Sequence, residues 1–181
     1  MRSMLHARAV ALFGLLATVL AVPAAWAGGT GAPGAVRNLT CGETIGVTRF
    51  PYLGNSQPRY QSRLVLGAAS VPPAYLAQVV ATHDQPWSYW RKAGLVIRSG
   101  SERVTLSVPK EWRNRAAIVW GNGGDGVFSS VRVSGCGSNP QSGNAYAGGF
   151  YLRSPSACLP LIVRVGTRTQ IVRFGVGRRC P

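Results

Sequence analysis

The chain has 181 residues, of which 20 are Lys or Arg, 5 are Asp or Glu and two are His. Five carboxylates cannot neutralise twenty cations, so a surface balanced by internal ion pairs is excluded, and acid-rich metal cages or paired-carboxylate catalysis have few residues to draw on. Lys92 and Lys110 are the only lysines, so the excess is almost entirely guanidinium; it points to an anionic partner, although an Arg-over-Lys skew with abundant Ala, Gly and Val is also what a GC-rich genome writes.

Residues 1–27 read as a secretory signal peptide. Arg2 and Arg8 lead it, an apolar stretch runs from Ala9 to Val22, and Ala25-Trp26-Ala27 supplies the small-x-small cleavage pattern. The apolar stretch is shorter than the roughly 20 residues a bilayer-spanning helix needs, so no membrane span is expected. Without Arg2 and Arg8 the formal charge falls from +15 to +13. Residues 28–39, mostly Gly, Ala and Pro without periodicity, read as a flexible leader, and 40–181 as a single domain large enough to bury one core.

Beyond the leader, short apolar runs alternate with Gly, Pro, Asn and Ser clusters. Strands are predicted at 44–50, 63–70, 93–99, 103–108, 116–120, 129–134, 149–153, 159–165 and 170–176. This spacing suits an all-β antiparallel β-sandwich, immunoglobulin-like or jelly-roll-like. Residues 73–81 fit two turns of helix or a strand equally well, and 109–115 fits a single helical turn.

Cys41, Cys136, Cys158 and Cys180 form an even set and contain no C-x-x-C pair, while His83 is remote in sequence; two disulfides are expected rather than zinc. The closing hairpin suggests the pairing. With Val163 opposite Val172 and Leu161 opposite Phe174 around a Gly166-Thr167-Arg168-Thr169 turn, one face is apolar and the other carries Arg164 and Arg173. That arrangement brings Cys158 to Cys180 and leaves Cys41 for Cys136.

Three stretches invite a chemical reading. Residues 121–126, Gly-Asn-Gly-Gly-Asp-Gly, have the spacing of a dinucleotide fingerprint, but strand follows where a helix is required, so a tight hairpin connection is expected. His83-Asp84 are chain neighbours without an obvious nucleophile, and no G-x-S-x-G elbow is present. Trp87, Tyr89, Trp90, Arg91 and Lys92 are the most suggestive set: rings to stack on sugars or bases, with cations to hold phosphate or carboxylate. Strand alternation would divide Trp87 and Tyr89 from Ser88 and Trp90, and at least one tryptophan is expected to fill the core.

In the C-terminal half, Ser134-Gly135-Cys136, Asn144-Ala145-Tyr146-Ala147-Gly148-Gly149-Phe150-Tyr151, Cys158-Leu159-Pro160-Leu161-Ile162-Val163-Arg164-Val165-Gly166 and Val172-Arg173-Phe174-Gly175-Val176-Gly177-Arg178-Arg179-Cys180 stand in order. With the stretches 75–80 and 90–98, they resemble a set of secreted, uncharacterised proteins of actinobacteria. The resemblance implies export and a small module, and it brings no activity or site residues.

The expectation is therefore a secreted or cell-wall-associated, non-catalytic basic protein without metal, cofactor or specific nucleic-acid partner. It would bind an anionic envelope or extracellular polymer, with Trp87, Tyr89, Trp90, Arg91, Lys92, Arg164 and Arg173 as candidate contacts. The alternatives are a secreted protein-interaction or inhibitor module and an envelope-polymer hydrolase.

Overall fold

A computed structural model describes residues 34–54, 57–58, 61–122 and 126–181. The expected signal peptide, the first part of the expected leader and Asp125 lie outside the described residues. Strands run in the order β1 (Val36–Leu39), β2 (Gly46–Arg49), β3 (Arg63–Val65), β4 (Ala69–Val71), β5 (Tyr75–Leu76), β6 (Val80–Ala81), β7 (Tyr89–Lys92) and β8 (Leu95–Arg98). They continue through β9 (Val104–Ser107), β10 (Ala116–Trp120), β11 (Ser130–Val133), β12 (Ser142–Tyr146), β13 (Gly148–Leu152), β14 (Ala157–Val165) and β15 (Arg168–Val176). Among the described residues there is no α-helix; Cys41–Glu43 and Lys110–Trp112 make single 3-10 turns. No helix among them is long and apolar enough to cross a membrane.

The longest strands, β14 and β15, read Ala-Cys-Leu-Pro-Leu-Ile-Val-Arg-Val and Arg-Thr-Gln-Ile-Val-Arg-Phe-Gly-Val, and alternation decides which side chains enter the core. Leu159, Leu161, Val163, Val172, Phe174 and Val176 point inward and are buried, while Arg164 and Arg173 point to solvent. The pairing is Leu161 with Val172 and Leu159 with Phe174, two residues from the expected register. The hairpin needs only the Gly166-Thr167 loop, with Gly166 at φ 55, so Arg168 and Thr169 join the strand instead of the turn. A shift of two leaves every side chain on its expected face.

The hairpin lies within a six-stranded sheet ordered β1-β11-β9-β14-β15-β5. Both of its outermost pairs, β1 with β11 and β5 with β15, are parallel, which corrects the expected purely antiparallel arrangement. β1 also corrects the leader: residues 36–39 are a strand, with Leu39 buried in the core and the Ala35 carbonyl accepting from the Ser129 and Ser130 amides. A four-stranded sheet, β10-β13-β7-β6, and a five-stranded sheet, β2-β12-β8-β4-β3, are antiparallel throughout.

One cluster of buried side chains draws on all three sheets, including Phe174, Phe150 and Ile97. Phe150 of β13 lies 5.1 Å from Phe174 of β15 and 5.7 Å from Trp120 of β10, ring centre to ring centre. The Trp120 indole donates to the Ala93 carbonyl at 2.8 Å, which satisfies its one polar atom inside the core.

The expected strand 63–70 is a hairpin. Leu66 and Gly67 both have positive φ, 50° and 68°, and the Ala68 amide closes the turn on the Val65 carbonyl. Leu-Gly lacks the Asn or Asp that normally advertises such a turn. Residues 73–81 form the two short strands β5 and β6 rather than a helix.

The disulfides are Cys158–Cys180 and Cys41–Cys136, as expected from the hairpin. Gly175 stands opposite Cys158, and a Cβ there would strike the Arg178 carbonyl; its absence lets the tail fold back over the sheet and deliver Cys180. The bonds span 22 and 95 residues. Replacing Cys158 and Cys180 together by Ser should lower stability by about 3 kcal/mol, and replacing Cys41 and Cys136 by nearer 5 kcal/mol. Guanidinium chloride unfolding checks this, and losses below about 1 kcal/mol for both pairs would show that the cross-links do not constrain the unfolded chain.

Candidate functional site

The outward face of the six-stranded sheet is cationic by alternation. Across it, Asn38, Arg132, Thr105, Arg164 and Thr169 occupy successive paired positions on β1, β11, β9, β14 and β15. At an interstrand spacing of about 4.8 Å, the Arg132 and Arg164 backbones stand roughly 10 Å apart with Thr105 between them. Arg173, paired with Pro160, adds a third cation on the same side, and the Ser107 and Ser130 hydroxyls meet there at 2.8 Å. None of these five strands contains Asp or Glu. The sequence reading identified Arg164 and Arg173 and missed Arg132, whose signal was its place between the buried Val131 and Val133.

The carboxylates come from outside these strands, and that of Glu102 rests against Gly166 in the β14–β15 turn. Among the described residues one ion pair forms, Arg37 with Glu43 at 2.6 Å. Burial alone would raise the Glu43 pKa, but hydrogen bonds from the Thr40 amide and from Arg37 and Thr40 side chains outweigh it and hold the carboxyl below its ordinary value. Asp84 accepts from the Thr82 hydroxyl at 2.7 Å and from the Tyr151 phenol at 3.2 Å. No three His, Cys, Asp or Glu side chains gather as a metal site among the described residues.

The segment 87–92 is divided between environments. Trp87 is buried in a small cluster with Ala117 and Val127 on the far face of the four-stranded sheet, and the Arg153 guanidinium lies over its ring at 5.6 Å. Tyr89 packs against the main core. Trp90 pairs with Tyr151, ring centres 4.7 Å apart, and its indole lies over Gly149, where a Cβ would come within 2.8 Å of the ring. The expected set of five therefore does not share one surface.

Arg91 follows Tyr89 on the inward side of β7, directly opposite the buried Phe150. It opens onto a cleft of about 730 Å³ where the three sheets meet. The six-stranded sheet contributes Tyr75, the four-stranded sheet Arg91 and Lys92, and the five-stranded sheet Tyr146; Tyr52 and Pro72 complete the principal lining. No carboxylate is present in the described lining. Burial lowers the Arg91 pKa, and its Nε is buried without a hydrogen-bond partner. Sequence reading named Arg91 and Lys92 but had no means of assembling the tyrosines around them.

Comparison with protein-family models, with curated proteins and with solved structures gave no match.

Burial, and then Asp84 through its charge and its hydrogen bond, raises the Tyr151 pKa above the ordinary phenol range. A raised folded-state pKa contributes stability that is fully present below the unfolded value, near 10, and is lost as pH rises through the folded value. Alkaline unfolding of Tyr151→Phe should therefore show a shallower loss of stability above about pH 10 than the unsubstituted chain. Identical pH slopes would show that Tyr151 is not a contributor.

Proposed function

We propose that the chain is an exported, non-catalytic β-sandwich module that adheres to an anionic cell-envelope or extracellular polymer through the outward face of its six-stranded sheet. The observation that carries this reading is Arg132, Arg164 and Arg173 on a face whose strands contain no acid. Flanking hydroxyls of Thr105 and Thr169 add hydrogen-bonding partners for phosphate, sulfate or carboxylate groups. A flat array of guanidinium groups suits a repeating polyanion better than a single small ligand. The two disulfides fit an oxidising compartment, and the leader pattern and the resemblance to secreted actinobacterial proteins support export.

A second reading, a protein-interaction or inhibitor module, draws on the free edge of the five-stranded sheet. There Ile45 and Val47 stay 64% and 69% exposed, close in sequence to the Cys41–Cys136 bridge. An apolar strand edge accepts a partner strand. The hydrolase alternative has less to draw on, since Glu43 and Asp84 are engaged in separate local contacts.

Retention on immobilised polyphosphate tests the first reading. The triple variant R132Q/R164Q/R173Q should elute at clearly lower salt, its log affinity falling less steeply with log salt by about two to three units. A control triple of exposed arginines outside the six-stranded sheet, R49Q/R115Q/R153Q, should change less. Equal effects of the two triples would remove the sheet face from the account.

A further inference from the structure

We infer that the cleft between the three sheets is a binding site for a small amphipathic organic anion, whose carboxylate or phosphate is held by Arg91 while its apolar body lies against the tyrosine and proline walls. This site is separate from the sheet face described above, and neither depends on the other.

The first argument is positional. Alternation along β7 and its pairing with β13 place residue 91 on the inward side opposite Phe150, where an apolar side chain is expected. An inward guanidinium breaks that pattern, and such local exceptions mark functional positions. A merely structural arginine in this setting looks different. Arg63, desolvated by burial in the same way, donates from Nε to the Pro72 carbonyl at 3.3 Å and from Nη2 to the Arg173 carbonyl at 3.0 Å, and lies 4.7 Å over the Phe174 ring. Its polar atoms hold the sheets together. Arg91 has no carboxylate in the described lining of its cleft, and its Nε is buried and unpartnered. Arg37 and Arg98 also carry an unpartnered buried nitrogen, but neither lines the cleft, and Arg37 is already paired with Glu43.

The second argument is the container. A volume of about 730 Å³ falls within the range of small-molecule sites, and a mostly apolar wall with a few convergent polar groups is their usual composition. Tyr146 is almost wholly buried, its hydroxyl 3.8 Å from the Cys136 sulfur, so its ring is fixed by the disulfide region. The Arg179 guanidinium packs over the Tyr75 ring, 5.0 Å from its centre. The Tyr52 amide is anchored to the Ser70 hydroxyl at 3.0 Å. Aromatic walls beside a partly desolvated cation favour a ligand with one anionic head and a flat or aliphatic body, and they disfavour both a neutral ligand and a bare inorganic ion.

The test is a titration of the oxidised, 15N-labelled chain followed at the arginine Nε–H signals. Phenyl phosphate and benzoate represent the two head groups, benzyl alcohol the neutral body and inorganic phosphate the head alone. At least one of the two aromatic anions should saturate and shift the Arg91 Nε–H, and comparing them tells phosphate from carboxylate preference. Benzyl alcohol and inorganic phosphate should bind at least about tenfold more weakly, as should the anion to Arg91→Gln. Ala77→Trp, at the exposed rim, should weaken binding with Arg91 intact, which decides the matter if Arg91→Gln fails to fold. R132Q/R164Q/R173Q should bind as the unsubstituted chain does, whatever its behaviour on polyphosphate. Absence of saturation, equal affinity for benzyl alcohol or for inorganic phosphate, undiminished binding in a folded Arg91→Gln, or undiminished binding in Ala77→Trp would overturn the inference.

Discussion

The two-residue period of the β14–β15 hairpin is the constraint from which the rest of the molecule follows. Nine residues on each strand pair without interruption, so once Leu161, Val163, Val172 and Phe174 enter the core, Arg164 and Arg173 have only the opposite face to occupy. The same rule acts on β11, beyond β9 in the same sheet, where buried Val131 and Val133 turn Arg132 outward. The cationic face is thus the geometric complement of the core. A bridge at Cys158–Cys180 closes the open end of this hairpin, and the bare backbone at Gly175 makes room for it.

Around this hairpin the four-stranded sheet packs through Phe150, backed by Trp120, the five-stranded sheet joins the same core through residues such as Ile97, and the cleft lies where the three meet. Three sheets meeting at one core cannot close every seam. The seam between β5, β7 and β12 is lined by tyrosine rings and Arg91. Cys41–Cys136 anchors the start of the five-stranded sheet, and Asn144, buried on β12, takes the Cys136 amide and lies within reach of the Ser99 hydroxyl. Polar satisfaction and covalent linkage thus converge on the strand that forms one wall of the cleft.

The hairpin was legible in sequence because its alternation is long and its faces differ in chemistry; even a register error of two residues preserved both faces and the cysteine pairing. Shorter elements carried less information. β12, Ser-Gly-Asn-Ala-Tyr, has the composition of a turn, and only its neighbours β2 and β8 make it a strand. The Leu66-Gly67 turn lacked its usual residues, and β1 and β5 join by parallel pairing with strands distant in sequence, which no local pattern encodes. The aromatic segment failed as a unit for the same reason: whether Trp87, Tyr89 and Trp90 are core or surface depends on what packs on each face of a sheet.

The central claim is that alternation gathers the exposed arginines of the six-stranded sheet into one polyanion-facing surface. Arginine-selective chemical modification, read by peptide mass with and without bound polyphosphate, addresses it most directly. The account predicts that Arg132, Arg164 and Arg173 are modified in the free protein and protected together in the complex, while exposed Arg115 and Arg153 remain reactive. Protection spread evenly over all exposed arginines, or confined to those outside the sheet face, would contradict it.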